Sequence, residues 1–103
     1  MENKRYVMRL IRHEGNMMVN ICDEELLGKT LKDKDLEIHI SQSFYGNNKI
    51  NLKEAIDIIQ KSHSINLVGN RIVEEALNAK LASKLSVKKI GSTLFLMIIK
   101  FNN

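Results

Sequence analysis

The chain predicts an α+β fold, a mainly antiparallel or mixed sheet with two amphipathic helices on one face, in the order β-β-(short α)-β-α-α-β-β. Three observations carry that reading. Segments near both ends are rich in β-branched, aromatic or alternating apolar residues. Two consecutive helical periodicities lie between them. A length of 103 residues, 44% hydrophobic and 27% charged, suits one folded domain over residues 1–103 and leaves no room for a second.

Residues 5 to 12 and 17 to 22 are rich in β-formers and flank His13-Glu14-Gly15-Asn16, a hairpin signal because Gly and Asn supply the positive φ of tight turns. Alternation puts Tyr6, Met8 and Leu10 on the core face and Arg5 and Arg9 on the other with Val7 and Ile11. Asp23 suits the N-cap of a short helix, with Glu24 and Glu25 at its positive end, Leu26 and Leu27 packing, and Gly28 as its left-handed stop. Leu36-Glu37-Ile38-His39-Ile40 alternates as a strand with Leu36, Ile38 and Ile40 inward, and 43–48 reads as a loop.

Asn51 and Glu54 have the spacing of a capping box, so a helix starts there, with Leu52, Ala55, Ile56, Ile59 and His63 inward and Ile58 broadening the stripe. Ser64 to Asn70 breaks the pattern as a turn between helices. Asn70 then caps a second helix whose inward face is Ile72, Val73, Ala76, Leu77 and Leu81, with Lys80 and Lys84 near its negative end. Residues 87–90 and 93–101 are strands around Gly91-Ser92, and the last, apolar on both faces, is expected inside the sheet.

Several function classes lack support. The longest apolar run, Leu94 to Ile99, is far short of the roughly 20 residues of a membrane-spanning helix. Arg9, Arg12 and His13 interrupt the segment where a secretory signal would need apolar residues, and one cysteine makes no internal disulfide, so a cytoplasmic protein is expected. His13, His39 and His63 are scattered, which predicts no metal site, and no cofactor motif occurs. Gly28-Lys29-Thr30 looks like the end of a phosphate loop, but Asp23 stands where its first glycine would be. Cys22 needs a base and positive charge to act as a nucleophile, whereas Asp23, Glu24 and Glu25 beside it raise a thiol pKa. It reads as a small buried apolar residue, and the chain as no enzyme.

Charge is polarised. Residues 23 to 41 carry six acids and three bases, while 79 to 103 hold five lysines and no acid. That suits a phosphate backbone, an acidic protein, or simply a solvated basic face. Two segments resist a packing explanation. Phe44-Tyr45-Gly46 places two of five aromatics in a loop, to stack on a base or anchor an interface, unless Phe44 closes the core edge and Tyr45 snorkels. At Ile65 to Asn70, amides converge on a helix start beside Arg71, which suits an anion, or else the segment is a helix-helix turn with Leu67 and Val68 under the sheet.

Cys22 to Lys29, Phe44-Tyr45-Gly46 and Asn66-Leu67-Val68-Gly69, in this order and spacing, resemble the archaeal family known as domain of unknown function 424. The likeness spans roughly residues 5 to 91, and the 94–103 segment is longer and more apolar than the family's tails. The family implies no catalytic residues. The lysine, isoleucine and asparagine richness also resembles translation recovery factors of the Sulfolobus type. That likeness implies a protein-binding role at the γ subunit of archaeal translation initiation factor two, helping to free it from messenger RNA.

Two functional expectations follow. The first is a non-enzymatic protein-binding factor in translation, with Phe44, Tyr45, Leu67, Val68, Asn70 and Arg71 as anchors and Arg5, Arg9, Lys84, Lys88 and Lys89 steering the encounter. The second is direct binding of single-stranded or ribosomal RNA by the basic strand face and lysine-rich end, although interleaved aromatics and lysines are missing.

Overall fold

The computed structural model describes residues 3–101. Its strands are β1 (Tyr6–His13), β2 (Asn16–Asp23), β3 (Thr30–Asp33), β4 (Leu36–His39), β5 (Asn48–Ile50), β6 (Ser64–Val68), β7 (Val87–Ile90) and β8 (Thr93–Ile99). Its helices are α1 (Gln42–Tyr45), α2 (Leu52–Lys61) and α3 (Asn70–Asn78). Six strands form one mixed sheet in the order β5-β1-β2-β6-β8-β7, with β2 and β6 its parallel pair, and β3 and β4 form a separate hairpin. The α+β expectation holds.

The expected hairpin forms with Tyr6 opposite Asp23 and His13 opposite Asn16. Glu14 and Gly15 both take positive φ, which the tight connection between right-twisted strands requires. Helix α2 begins at the expected capping box: the Asn51 side chain accepts from the Glu54 amide at 2.8 Å, and the Glu54 carboxylate accepts from the Asn51 amide at 3.0 Å. Helices α2 and α3 cover one sheet face, where Tyr6, Val19, Ile21, Ile65, Leu67 and Leu96 meet Ala55, Ile59, Ile72, Val73 and Ala76. On the opposite face the β3-β4 hairpin and α1 close a second, smaller core of Val7, Cys22, Ile40, Tyr45 and Val68.

The structure corrects several local expectations. Ser64 to Val68 is a central strand and not a turn, because pairing with β2 and β8 satisfies its backbone while Ile65 and Leu67 fill the helix-side core. Where a loop was expected over 43–48, residues 42–45 form a helical turn and Asn48 begins an edge strand on β1 that runs to Ile50. Leu36 lies beside the β3-β4 turn and is half exposed. Ile58, and not Ile56, joins the main core. His63 lies beyond α2, and its Nδ1 accepts from the Met17 amide at 3.0 Å. Helix α3 stops at Asn78, so Lys80, with φ 59°, and Lys84, in a 3-10 turn over Lys84–Ser86, lie outside its last turn. Strand β8 is interior but ends at Ile99, and Met97 and Ile99 on its second face are exposed.

Asp23 takes the role expected of Asn70, and Asn70 takes one that was not expected. The Asp23 side chain makes no hydrogen bond to the 3-10 turn Glu24–Leu26 that follows it. It accepts instead from the amides of Arg71 and Ile72, each at 3.0 Å, and so caps α3 from across the sheet. A Cβ on Gly69, whose φ is 128°, would lie 2.3 Å from Asp23 Cγ, so the cap needs glycine there. Asn70 is the first residue of α3, and its side chain bridges the β7-β8 turn, donating to the Ser92 carbonyl and accepting from the Leu94 amide. Burial pushes the Asp23 carboxyl up, and the two amide donors and Arg71 pull it back. Asp23 is 3% exposed, so losing its acceptors would strand helix-end donors in the core.

Asp23→Ala should therefore cost about 2 kcal/mol in urea unfolding at neutral pH, and Asp23→Asn, which keeps one acceptor, should cost less. Gly69→Ala should be destabilising in the native background, and the Asp23→Ala, Gly69→Ala pair should lose less than the sum because the overlap with the carboxylate is gone and only the 2.8 Å approach to the residue 23 Cβ remains. Strict additivity would separate the two residues. Cys22 is fully buried, and its thiol is pushed up to about 12 by burial and by Asp23 and Glu25. A disulfide reagent at neutral pH should label the folded protein at least about a hundredfold more slowly than the denatured chain.

Candidate functional site

The two sides of the sheet are not equally covered. On the side away from α2 and α3, successive cross-strand rows are Val7-Cys22-Val68-Phe95, then Arg9-Asn20-Asn66-Met97, then Ile11-Met18-Ser64-Ile99. The four-residue strands β3 and β4, with α1, cover the first row. The longer strands beneath run on past them. Met18, Phe44, Met97 and Ile99 are 39%, 46%, 60% and 54% exposed, and together form an apolar patch on this open half.

A polar chain sets the boundary between the covered and open halves. Asn66 donates through Nδ2 to Asn20 Oδ1 at 3.0 Å, and Asn20 donates through its own Nδ2 to the Phe44 carbonyl at 3.0 Å. Arg9 donates to the neighbouring Ser43 carbonyl. Asn20 is 5% exposed, and these bonds satisfy both ends of its amide. Holding α1 by its backbone turns Tyr45 into the second core and Phe44 outward, with the two rings edge to face at 4.9 Å.

Beside α1 the face deepens into a groove of about 520 Å³ reaching β7, lined by Phe44, Asn66, Lys88, Ile90, Phe95 and Met97 among others. Among the described residues its lining carries one charge, Lys88, and no carboxylate. The surface can bury apolar area and orient an anion, but it gathers no acid-base pair.

Four of the expected anchors, Phe44, Tyr45, Leu67 and Val68, contribute to the lining of this groove, and Asn70 and Arg71 lie elsewhere. Phe44 is exposed on the open face as required. Tyr45 is 5% exposed, with its hydroxyl pKa raised by burial and by Cys22, and it meets the groove from within the second core; the expectation that Phe44 would bury and Tyr45 snorkel is reversed. Leu67 and Val68 are 1% and 2% exposed because they belong to a central strand, so they contribute to the groove from within the sheet and offer little open surface. Asn70 is used in the β7-β8 bridge. Arg71 lies at the Asp23 end, its guanidinium 5.3 Å from the Tyr6 ring centroid and hydrogen-bonded to both Glu25 oxygens and the Arg5 carbonyl. Partial desolvation is the largest single influence and opposes charge on Glu25 and Arg71, but their mutual hydrogen bond together with the surrounding opposite charges outweighs it: Glu25 sits below the usual carboxylate range and Arg71 above the usual guanidinium value. The anion expected at this helix start is the protein's own Asp23.

The basic residues divide in the same way. Arg9 and Lys88 flank the open face, Arg5 lies by Arg71, Lys89 alternates to the helix side, and Lys84 precedes β7. Met18, Met97, Ile99 and the Asn20-Asn66 pair were missed as site residues. Their signal was the alternation Phe95, Met97, Ile99 and an asparagine in the middle of each of two apolar strands. Among the described residues no three His, Cys, Asp or Glu converge as metal ligands, and no helix is long and apolar enough to cross a membrane.

No curated protein matches the chain. The crystal structure of an uncharacterized conserved protein from Methanopyrus kandleri is similar over 95% of each chain, with a TM-score of 0.76 and 21% sequence identity, which shows a shared fold. The model of the family described as protein of unknown function DUF424 matches residues 11–101, so it runs through β8 as well as the three sequence motifs, and the chain belongs to that family.

Proposed function

We propose that the protein is a non-enzymatic protein-binding factor that docks a partner on the open half of its sheet. The observation that carries this is the contiguous exposure of Met18, Phe44, Met97 and Ile99 on a rigid, hydrogen-bonded floor. Aromatic and methionine side chains are enriched at interface cores, and methionine adapts to irregular partner surfaces. Arg9 and Lys88 at the rim supply steering more than affinity. The work is placed in archaeal translation, with the γ subunit of initiation factor two as the first partner to test and its release from messenger RNA as the outcome. That placement rests on the sequence resemblance. The reading calls for no cofactor or metal.

Direct binding of single-stranded RNA is the second reading, favoured by one exposed ring, Phe44, between two basic side chains. The two differ in salt dependence. With Arg9 and Lys88 as the cations at the site, RNA affinity should fall with a log-log salt slope of about −1.4, while apolar protein docking should change little.

Titration of isotope-labelled protein with the purified γ subunit should shift or broaden resonances of Met18, Met97, Ile99 and Phe44. Phe44→Ala should weaken that binding roughly tenfold, by about 1 to 2 kcal/mol, while leaving the fold intact. An unchanged spectrum at high concentration would remove this partner, and wild-type affinity in Phe44→Ala would remove this surface.

A further inference from the structure

The groove beside α1 carries information about what enters it. Its walls are apolar: the Phe44 ring on one side, Phe95 and Met97 on the floor, Ile90 on the other side. A volume of about 520 Å³ is in the small-ligand range and has room for about two large apolar side chains. Lys88 on β7 is its lining charge, and among the described residues Lys88 has no acidic partner within ion-pair distance. Arg9, across the open face, is likewise without one. A second copy docked through this same face would set cation against cation, so the complementary occupant is acidic.

The asparagine chain adds a directional element. The Asn20 amide must donate to the Phe44 carbonyl, so its oxygen is the acceptor for Asn66, and Asn66 must present its NH₂ to Asn20. That leaves Asn66 Oδ1 without an assigned donor on a side chain that lines the groove. A bound backbone N–H supplies such a donor, whereas a phosphate does not.

We propose that this groove binds a short acidic segment of a partner protein, with an apolar side chain seated between Phe44, Phe95 and Met97. A neighbouring carboxylate pairs with Lys88 Nζ, and a backbone N–H donates to Asn66 Oδ1. This rests on the protein-binding reading above and names the chemistry of the partner's contacting segment.

The test is selection from a random dodecapeptide phage library on native protein and on Lys88→Glu, with the selected peptides mapped on protein carrying ¹³C-methyl methionine. Wild type should enrich peptides that place Asp or Glu beside an aromatic or aliphatic residue. These should shift Met97 and leave Met8, on the helix side, unchanged. Lys88→Glu should bind the same peptides at least about tenfold more weakly and should itself select sequences lacking the acid. Peptides that shift Met97 without an acid, or that bind Lys88→Glu equally well, would overturn the proposed chemistry and leave the protein-binding reading standing. No enriched peptide, together with a Met97 shift on adding oligouridylate, would overturn both in favour of RNA.

Discussion

The buried Asp23 carboxylate ties the end of one central strand to the start of the helix that follows its parallel neighbour. Strands β2 and β6 lie side by side, and β6 runs through Gly69 into α3, so the two hydrogen bonds that the Arg71 and Ile72 amides donate to Asp23 close the junction where three elements meet. A slip of one residue in the β2-β6 pairing would move the carboxylate to the other face and leave the helix end uncapped. The same bonds occupy the donors that otherwise make a helix start attractive to anions. The nearby Arg71-Glu25 pair contributes less to stability, because Glu25 is half exposed and solvent screens it. With the Asp23 end devoted to holding the fold together, the surface left for recognition lies toward the other end of the strands.

That surface follows from a difference in length. Strands β1 and β2 have eight residues and β8 has seven, while the hairpin laid over them has strands of four. The cover therefore ends partway along the sheet, and the boundary is built from polar groups that the buried rows could not accommodate unpaired. Asn20 and Asn66 meet this need through each other and through the α1 backbone. The side chains beyond the boundary, Ser64 apart, are apolar, which makes the open half an unusual surface for a chain that otherwise alternates apolar-in and polar-out. A basic residue on either side gives it a sign.

How much was legible in the chain depended on the range of the interaction involved. The β1-β2 hairpin, the Asn51-Glu54 box and the apolar face of α3 were readable because their causes lie within a few residues: turn chemistry, capping and period. Lys88 and Phe44 were placed among the candidates on charge and aromatic character, and both reach the open face. Ser64 to Val68 was misread because a five-residue strand between two helices gains its stability from neighbours distant in sequence, one of them parallel. Its alternation, Ser64-Ile65-Asn66-Leu67, was a weak local signal against two flanking turns.

The amino-acid sequence by itself determined the family, the α+β class, the local hairpin and helix starts, and the polarised charge, since each is written in composition or short-range pattern. Only the tertiary structure decided which side chains are available. Phe44 and Tyr45 are adjacent, and the seating of α1 on the sheet, held by Asn20 at the Phe44 carbonyl and Arg9 at the Ser43 carbonyl, leaves Tyr45 buried and Phe44 facing solvent. Asp23 caps a helix 48 residues away and not the turn that follows it. Exposure and capping across the sheet depend on strand order and on where the covering layer stops, and neither is encoded by any one segment's own preferences.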